Sequence, residues 1–86
     1  MNTLELAVPV KGTSFYDLLV GIEEISGRDW KEDPSKDKGR PFPIEKKKYI
    51  RSLISSWVKT KHPDREYGAY EEMYEGRMVL MVRRFA

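Results

Sequence analysis

Between Pro43 and Pro63 the chain carries its clearest periodic signal, with Tyr49, Ile50, Leu53, Ile54, Trp57 and Val58 recurring at helical spacing to make one apolar stripe. A helix with such a stripe is stable only when the stripe is buried against another element. Pro43 fits the start of a helix, where no backbone N–H is needed, and Pro63 ends one. The spacing therefore predicts a helix that begins just after Pro43 and reaches Lys61.

Beyond Pro63, the stretches from Arg65 to Tyr74 and from Arg77 to Phe85 flank Glu75-Gly76, a two-residue hairpin turn with glycine supplying the unusual backbone angle. Pairing Tyr74 with Arg77 fixes the register. It sets Tyr67, Ala69, Met73, Met78, Leu80 and Val82 on one face and Tyr70, Tyr74, Val79, Met81, Arg83 and Phe85 on the other, the first set being the better core candidate.

Ahead of the long helix, Thr3 to Val10 alternate with Leu4, Leu6, Val8 and Val10 on one side, which predicts a half-buried strand whose outer part Pro9 marks as an edge or terminus. Gly12 breaks it. Ser14 with Asp17 forms a capping-box-like helix start, and Phe15, Leu18, Leu19, Ile22 and Ile25 share one stripe of a helix expected to run to about Ser26 and stop at Gly27. The interval 28–43 is rich in Asp, Lys, Pro and Gly and is expected to be a mobile polar loop, its ends pinned by Trp30 and Phe42.

A chain of 86 residues has room for one compact core. We therefore expect a single α+β domain over 1–86, a small three-stranded antiparallel or mixed sheet packed by two helices, in the order β-α-α-β-β with a C-terminal hairpin. The expected core is Leu4, Leu6, Val8, Phe15, Leu18, Leu19, Ile22, Ile50, Leu53, Ile54, Trp57, Leu80 and Val82. With no cysteine there is no disulfide framework or thiolate metal site, which suits a reducing cytoplasm. No basic segment followed by an apolar run opens the chain and no apolar run is long enough to span a bilayer, so neither secretion nor membrane association is expected.

Net charge is only +2, so what matters is where the cations lie. From Lys46 to Lys61 there are six Lys or Arg and no Asp or Glu, and the last ten residues add Arg77, Arg83 and Arg84. Acids gather at Glu23-Glu24, from Asp29 to Asp37 and at Glu71-Glu72. Opposite the apolar stripe, Lys48, Arg51, Ser52, Ser55, Lys59 and His62 lie within roughly 60° of one line at 3.6 residues per turn. Such a face can approach a phosphate backbone: lysine and arginine release counterions, serine hydroxyls bond phosphate oxygens, and arginine reaches base edges. It also has a bland reading, as the solvated side of an amphipathic helix. Lys46, Lys47 and Lys48 favour a bound anion, since the helix dipole disfavours cations in the first turns.

The hairpin offers a second surface. Tyr70, Tyr74, Met81 and Phe85 with Arg77 and Arg83 can stack on unpaired bases, pack into a protein partner or second copy, or be covered internally as core. A basic helix followed by a hairpin, over residues 44–86, resembles the recognition helix and wing of winged helix-turn-helix proteins. It departs from them in lacking a short helix just before the basic one and in carrying an extra N-terminal strand. The resemblance implies that Lys48, Arg51, Ser52 and Ser55 enter a major groove and that Arg77 sits at the wing tip.

The expectation is thus a small nucleic-acid-binding accessory or regulatory module, binding DNA or RNA through Lys46, Lys47, Lys48, Arg51, Ser52, Ser55, Lys59, Arg77 and Arg83. The alternative is a protein-interaction module, a small inhibitor or adaptor, using Tyr70, Tyr74, Met81 and Phe85 or an edge strand. No enzyme, cofactor or metal is expected. His62 is the only histidine, and seven helical residues put it roughly 10 Å from Ser55, beyond hydrogen-bond reach. The acidic loop Asp29, Glu32, Asp33 and Asp37 lacks the alternating ligands and central glycine of a calcium loop.

Overall fold

The computed structural model of the protein describes residues 6–25 and 29–86, the side chains of Asp29 and Ser35 excepted. Its elements run α1 (Phe15–Val20), β1 (Arg40–Pro43), α2 (Lys47–Leu53), α3 (Lys59–Lys61), β2 (Tyr67–Tyr74) and β3 (Arg77–Arg84), with a single-turn helix at Ile44–Lys46 leading into α2 and a π-helical turn at Ile54–Val58 joining α2 to α3. Residues 44–61 therefore form one composite helix. The sheet is three-stranded and antiparallel in the order β1-β3-β2.

The expected α+β class, three strands and C-terminal hairpin are all present. Tyr74 pairs with Arg77, and the turn between them places Glu75 at φ 49° and Gly76 at φ 86°. Both positive angles match the twist a two-residue hairpin needs.

The third strand is not where the sequence pattern put it. Residues 6–10 form no strand, Leu6 is half-buried and Val8 is exposed; Thr3, Leu4 and Glu5 lie outside the described residues. Ala7 donates one hydrogen bond of 2.7 Å to the Pro41 carbonyl. The third strand of the sheet is instead β1, from within the expected loop, so among the described residues the order is α-β-α-β-β. Two prolines in four residues hide it. They are tolerated because β1 lies at the edge of the sheet, and β3 has β2 for its other neighbour. The rest of the expected loop is also shaped, with single-turn helices at Asp29–Lys31 and Pro34–Lys36.

Helix α1 opens on the expected capping box, Ser14 with Asp17, but ends at Val20 rather than Ser26. Its last carbonyls are taken by side chains from distant segments: Arg40 donates to Leu18 (3.2 Å), Tyr67 to Leu19 (2.9 Å) and Arg65 to Val20 (3.0 Å). These bonds satisfy acceptors that a helix end otherwise leaves open. Ile22 and Ile25 are buried all the same, because the chain continues alongside β3, where the Ile25 amide donates to the Arg84 carbonyl at 2.9 Å. Ser26, Gly27 and Arg28 lie outside the described residues.

The main core gathers Leu19, Ile22, Phe42, Ile50, Leu53, Val58, Leu80 and Val82, with Phe15, Leu18, Ile54, Tyr67 and Ala69 against it. Of the expected core, Val8 and Trp57 are the exceptions at 53% and 58% exposed, while Val58 beside Trp57 is 1% exposed. The π-helical turn explains the exchange. It inserts one residue relative to α-helical winding, so every side chain after it is displaced by about one position around the axis. Ile50 and Leu53 point inward, and the next inward position falls to Val58 instead of Trp57.

Both faces of the hairpin are used. Leu80 and Val82 meet the helices as expected, whereas Met73 and Met78 near the turn remain exposed. On the other face Val79, Met81 and Arg83 are buried. The cover over Met81 and Arg83 comes from residues 30–39. Gly39 approaches so closely that a Cβ there would lie 2.9 Å from Arg83 Cγ and 3.2 Å from Met81 Sδ.

Candidate nucleic-acid interface

The composite helix holds most of the expected site. Lys46, Lys48, Arg51, Ser52, Ser55 and Lys59 are exposed, as is Lys61 at its end. Among the described residues, Lys46, Lys48, Lys59 and Lys61 have no carboxylate partner. Lys47 is half-buried and reaches Glu71 on β2 at 3.5 Å, a surface pair of little energetic weight. Arg51 stays exposed but donates to the Ala69 carbonyl on β2 at 3.3 Å. One flank of the helix is thus tied to edge strand β2, and the outward flank is left with lysines and serines.

The serines are partly committed. Ser55 and Ser56 both donate their hydroxyls to the Ser52 carbonyl, at 3.2 and 2.6 Å, within the stretch that enters the π-helical turn. A hydroxyl bonded back onto its own helix commonly accompanies distorted winding. Ser55 therefore offers an oxygen acceptor outward more readily than a donor.

Arg77 is exposed at the start of β3, as expected. Arg83 is not part of any surface, being 3% exposed. Its guanidinium donates to Asp37 Oδ1 (3.1 Å) and Oδ2 (2.9 Å), to both carboxylate oxygens of Glu72, and lies 4.2 Å from the Trp30 ring centre. Burial pushes the Asp37 carboxyl up, but hydrogen bonds from Arg83 and the Gly39 amide, with the Arg83 charge, outweigh it and hold the pKa below the usual aspartate value. Burial likewise opposes the Arg83 charge, and the bonds to Glu72 and Asp37 more than offset it, holding its pKa above that of an ordinary arginine. Arg83 is consequently a structural cation that fastens residues 30–39 to the sheet, and its expected role in phosphate contact is corrected.

The surface expected for a protein partner is also reduced. Met81 is buried, Tyr74 and Phe85 are half-buried, and Tyr70 is exposed with its ring edge-on to Phe85 at 6.5 Å. Trp30 pins its segment as expected, its ring 6.1 Å from Phe85, and Phe42 is fully buried.

Tyr49, placed on the apolar stripe by periodicity, and Trp57, expected in the core, are both exposed on the basic helix. They are functional candidates that the sequence pattern missed. Tyr49 lies edge-on to Phe15 at 6.0 Å, which places it towards α1, away from the β2 flank. The adjacent serines at 55 and 56 are the one local signal of altered winding, too common in ordinary helices to read alone.

His62 Nε2 lies 3.3 Å from the Tyr16 hydroxyl and the two rings stack. Among the described residues no group of three His, Asp or Glu side chains could hold a metal ion, and no helix is long and apolar enough to cross a membrane.

No protein-family model, curated protein or solved structure matches this chain.

Proposed function

We propose that the protein is a small nucleic-acid-binding accessory or regulatory module of the cytoplasm, without catalytic activity, which takes DNA or RNA onto the composite helix mainly through phosphate contacts. The observation that carries this reading is the segregation of charge. Six cations and no acid lie between Lys46 and Lys61, and all of them but Lys47 are exposed to solvent. Neutralising phosphates with such lysines releases condensed counterions, the dominant sequence-independent term in nucleic-acid affinity.

Trp57 and Tyr49 add a second element. Exposed aromatic rings beside cations can stack on unpaired bases, a contribution of about 1–3 kcal/mol per base. Arg51 is held by β2, so phosphate contact falls first to Lys46, Lys48, Lys59 and Lys61, with Arg77 at the hairpin turn as a peripheral contact. Fluorescence anisotropy with labelled single-stranded and duplex oligonucleotides at several salt concentrations tests the reading. Affinity that falls linearly in a log–log plot against salt supports it, and salt-indifferent or absent binding overturns it.

A second reading, a protein-interaction module, is favoured by one observation: β2 is an eight-residue edge strand. An open strand edge can accept a partner strand. Co-purification after nuclease treatment distinguishes it, since a nucleic-acid tether is lost and a strand-paired protein is kept.

A further inference from the structure

On the sheet face turned away from the composite helix lies a cleft of about 820 Å³ whose lining includes Trp30, Tyr70, Phe85, Lys31, Glu66 and Glu72. We propose that it binds a quaternary ammonium group, the trimethylammonium carried by a methylated lysine or by a choline-type molecule.

Three rings provide the walls. Trp30 and Phe85 are 6.1 Å apart and inclined at 46°, and Tyr70 and Phe85 are 6.5 Å apart at 70°, so the rings meet tilted and edge-on rather than stacking on one another. The protein already places its own cations on them. Arg83 lies 4.2 Å from the Trp30 centre and 5.9 Å from that of Tyr70, and the Lys31 ammonium is 5.6 Å from Trp30. These distances fall within reach of the cation–π attraction.

Charge favours a cation as well. Arg83 beneath the cleft is matched by Asp37 and Glu72, leaving Glu66 with no ion-pair partner among the described residues. Among the described residues Lys31 is the one cation of the lining, and it is exposed. A phosphate or carboxylate group meets carboxylates here. A primary ammonium brings three N–H donors and a tight hydration shell that aromatic walls do not replace, whereas a trimethylammonium has no donor to satisfy and presents methyl groups to the rings.

Gly68 sets the position of one wall. A Cβ at that residue would lie 2.4 Å from Tyr70 Oη and 2.7 Å from two of its ring carbons, so only glycine lets Tyr70 fold back across the strand beside Phe85.

The test uses the full chain with Trp57→Phe, so that Trp30 alone reports by fluorescence. The probes are choline, its neutral isostere 3,3-dimethylbutan-1-ol, and a short peptide carrying either trimethyl-lysine or lysine. Saturable quenching by choline or by the trimethyl-lysine peptide, at least about tenfold tighter than by the neutral isostere or the lysine peptide, supports the site, and the tighter of the two names its source. Glu66→Gln should weaken binding about threefold and Lys31→Ala should strengthen it by a similar factor, both at exposed residues where the fold is preserved. Gly68→Ala should weaken it by displacing Tyr70. No saturable change with either quaternary probe, or equal affinity for the neutral isostere, overturns the proposal. The cleft and the basic helix lie on opposite faces of the sheet, so either assignment can fail without the other.

Discussion

Arg83 and Asp37 are joined by two parallel hydrogen bonds, Nε to Oδ1 at 3.1 Å and Nη2 to Oδ2 at 2.9 Å. This fork, with Glu72 on the same guanidinium and Trp30 against its plane, holds residues 30–39 over the second face of the sheet. A lysine keeps the charge but supplies neither the fork nor a planar group for the indole. Arg83→Lys should therefore lower stability by about 1–3 kcal/mol in urea titration, and Arg83→Ala by about 3–5 kcal/mol, since it leaves two carboxylates without their cation. A lysine variant as stable as the parent would show that the fork has no structural weight.

The same pair predicts a pH dependence. The Asp37 pKa is held below the ordinary aspartate value of 3.8 in the folded protein, so its contribution is complete above that value and is lost as pH falls through the lower, folded-state pKa. Asp37→Asn should be less stable than the parent at neutral pH, and the gap should narrow below about pH 4. Thermal melts of both proteins between pH 2 and pH 7 check this; a gap of constant size across the range would remove Asp37 from the account.

The π-helical turn sets Trp57 and Val58 apart. Val58→Ala should cost about 1.5–3 kcal/mol through lost burial and the cavity it leaves, and Trp57→Ala less than about 1 kcal/mol, because Trp57 is 58% exposed and Val58 1%. Denaturant unfolding of the two variants gives the comparison. The opposite ranking would mean that the helix keeps ordinary winding through residue 58.

Gly39 is needed for close packing. Its Cβ would fall 2.9 Å from Arg83 Cγ, 3.0 Å from Asp37 Oδ1 and 3.2 Å from Met81 Sδ. Gly39→Ala should lower stability by about 1–3 kcal/mol, as overpacking against buried groups does, and thermal unfolding measures it. A neutral outcome would mean that residues 30–39 lift easily from the sheet.

Local rules made much of this fold legible. Ser14 and Asp17 announced the start of α1, Glu75-Gly76 fixed the hairpin register, and Pro43 and Pro63 bracketed the composite helix. What stayed hidden depends on partners far along the chain. Helix α1 ends where Arg40, Arg65 and Tyr67 cap its carbonyls. Strand β1 exists because β3 offers an edge to an Arg-Pro-Phe-Pro segment that local propensity argues against. Arg83 resembled other surface cations until Asp37 and Glu72 arrived from elsewhere in sequence. At the candidate interface the lysines could be read from charge pattern alone. Tyr49 and Trp57 could not, because an apolar ring at helical spacing reads as core unless the change in winding is known.

The central claim, that the outward lysines of the composite helix hold phosphates, is tested most directly by Lys48→Glu combined with Lys59→Glu, two exposed positions with no ion-pair partner among the described residues. Oligonucleotide affinity is measured from 50 to 200 mM salt for the parent and the double variant. The account predicts weaker binding at every salt concentration and a log–log slope shallower by about 1.8 for duplex DNA, or about 1.4 for a single strand, as two phosphate contacts disappear. An unchanged slope and affinity in a folded double variant would contradict it.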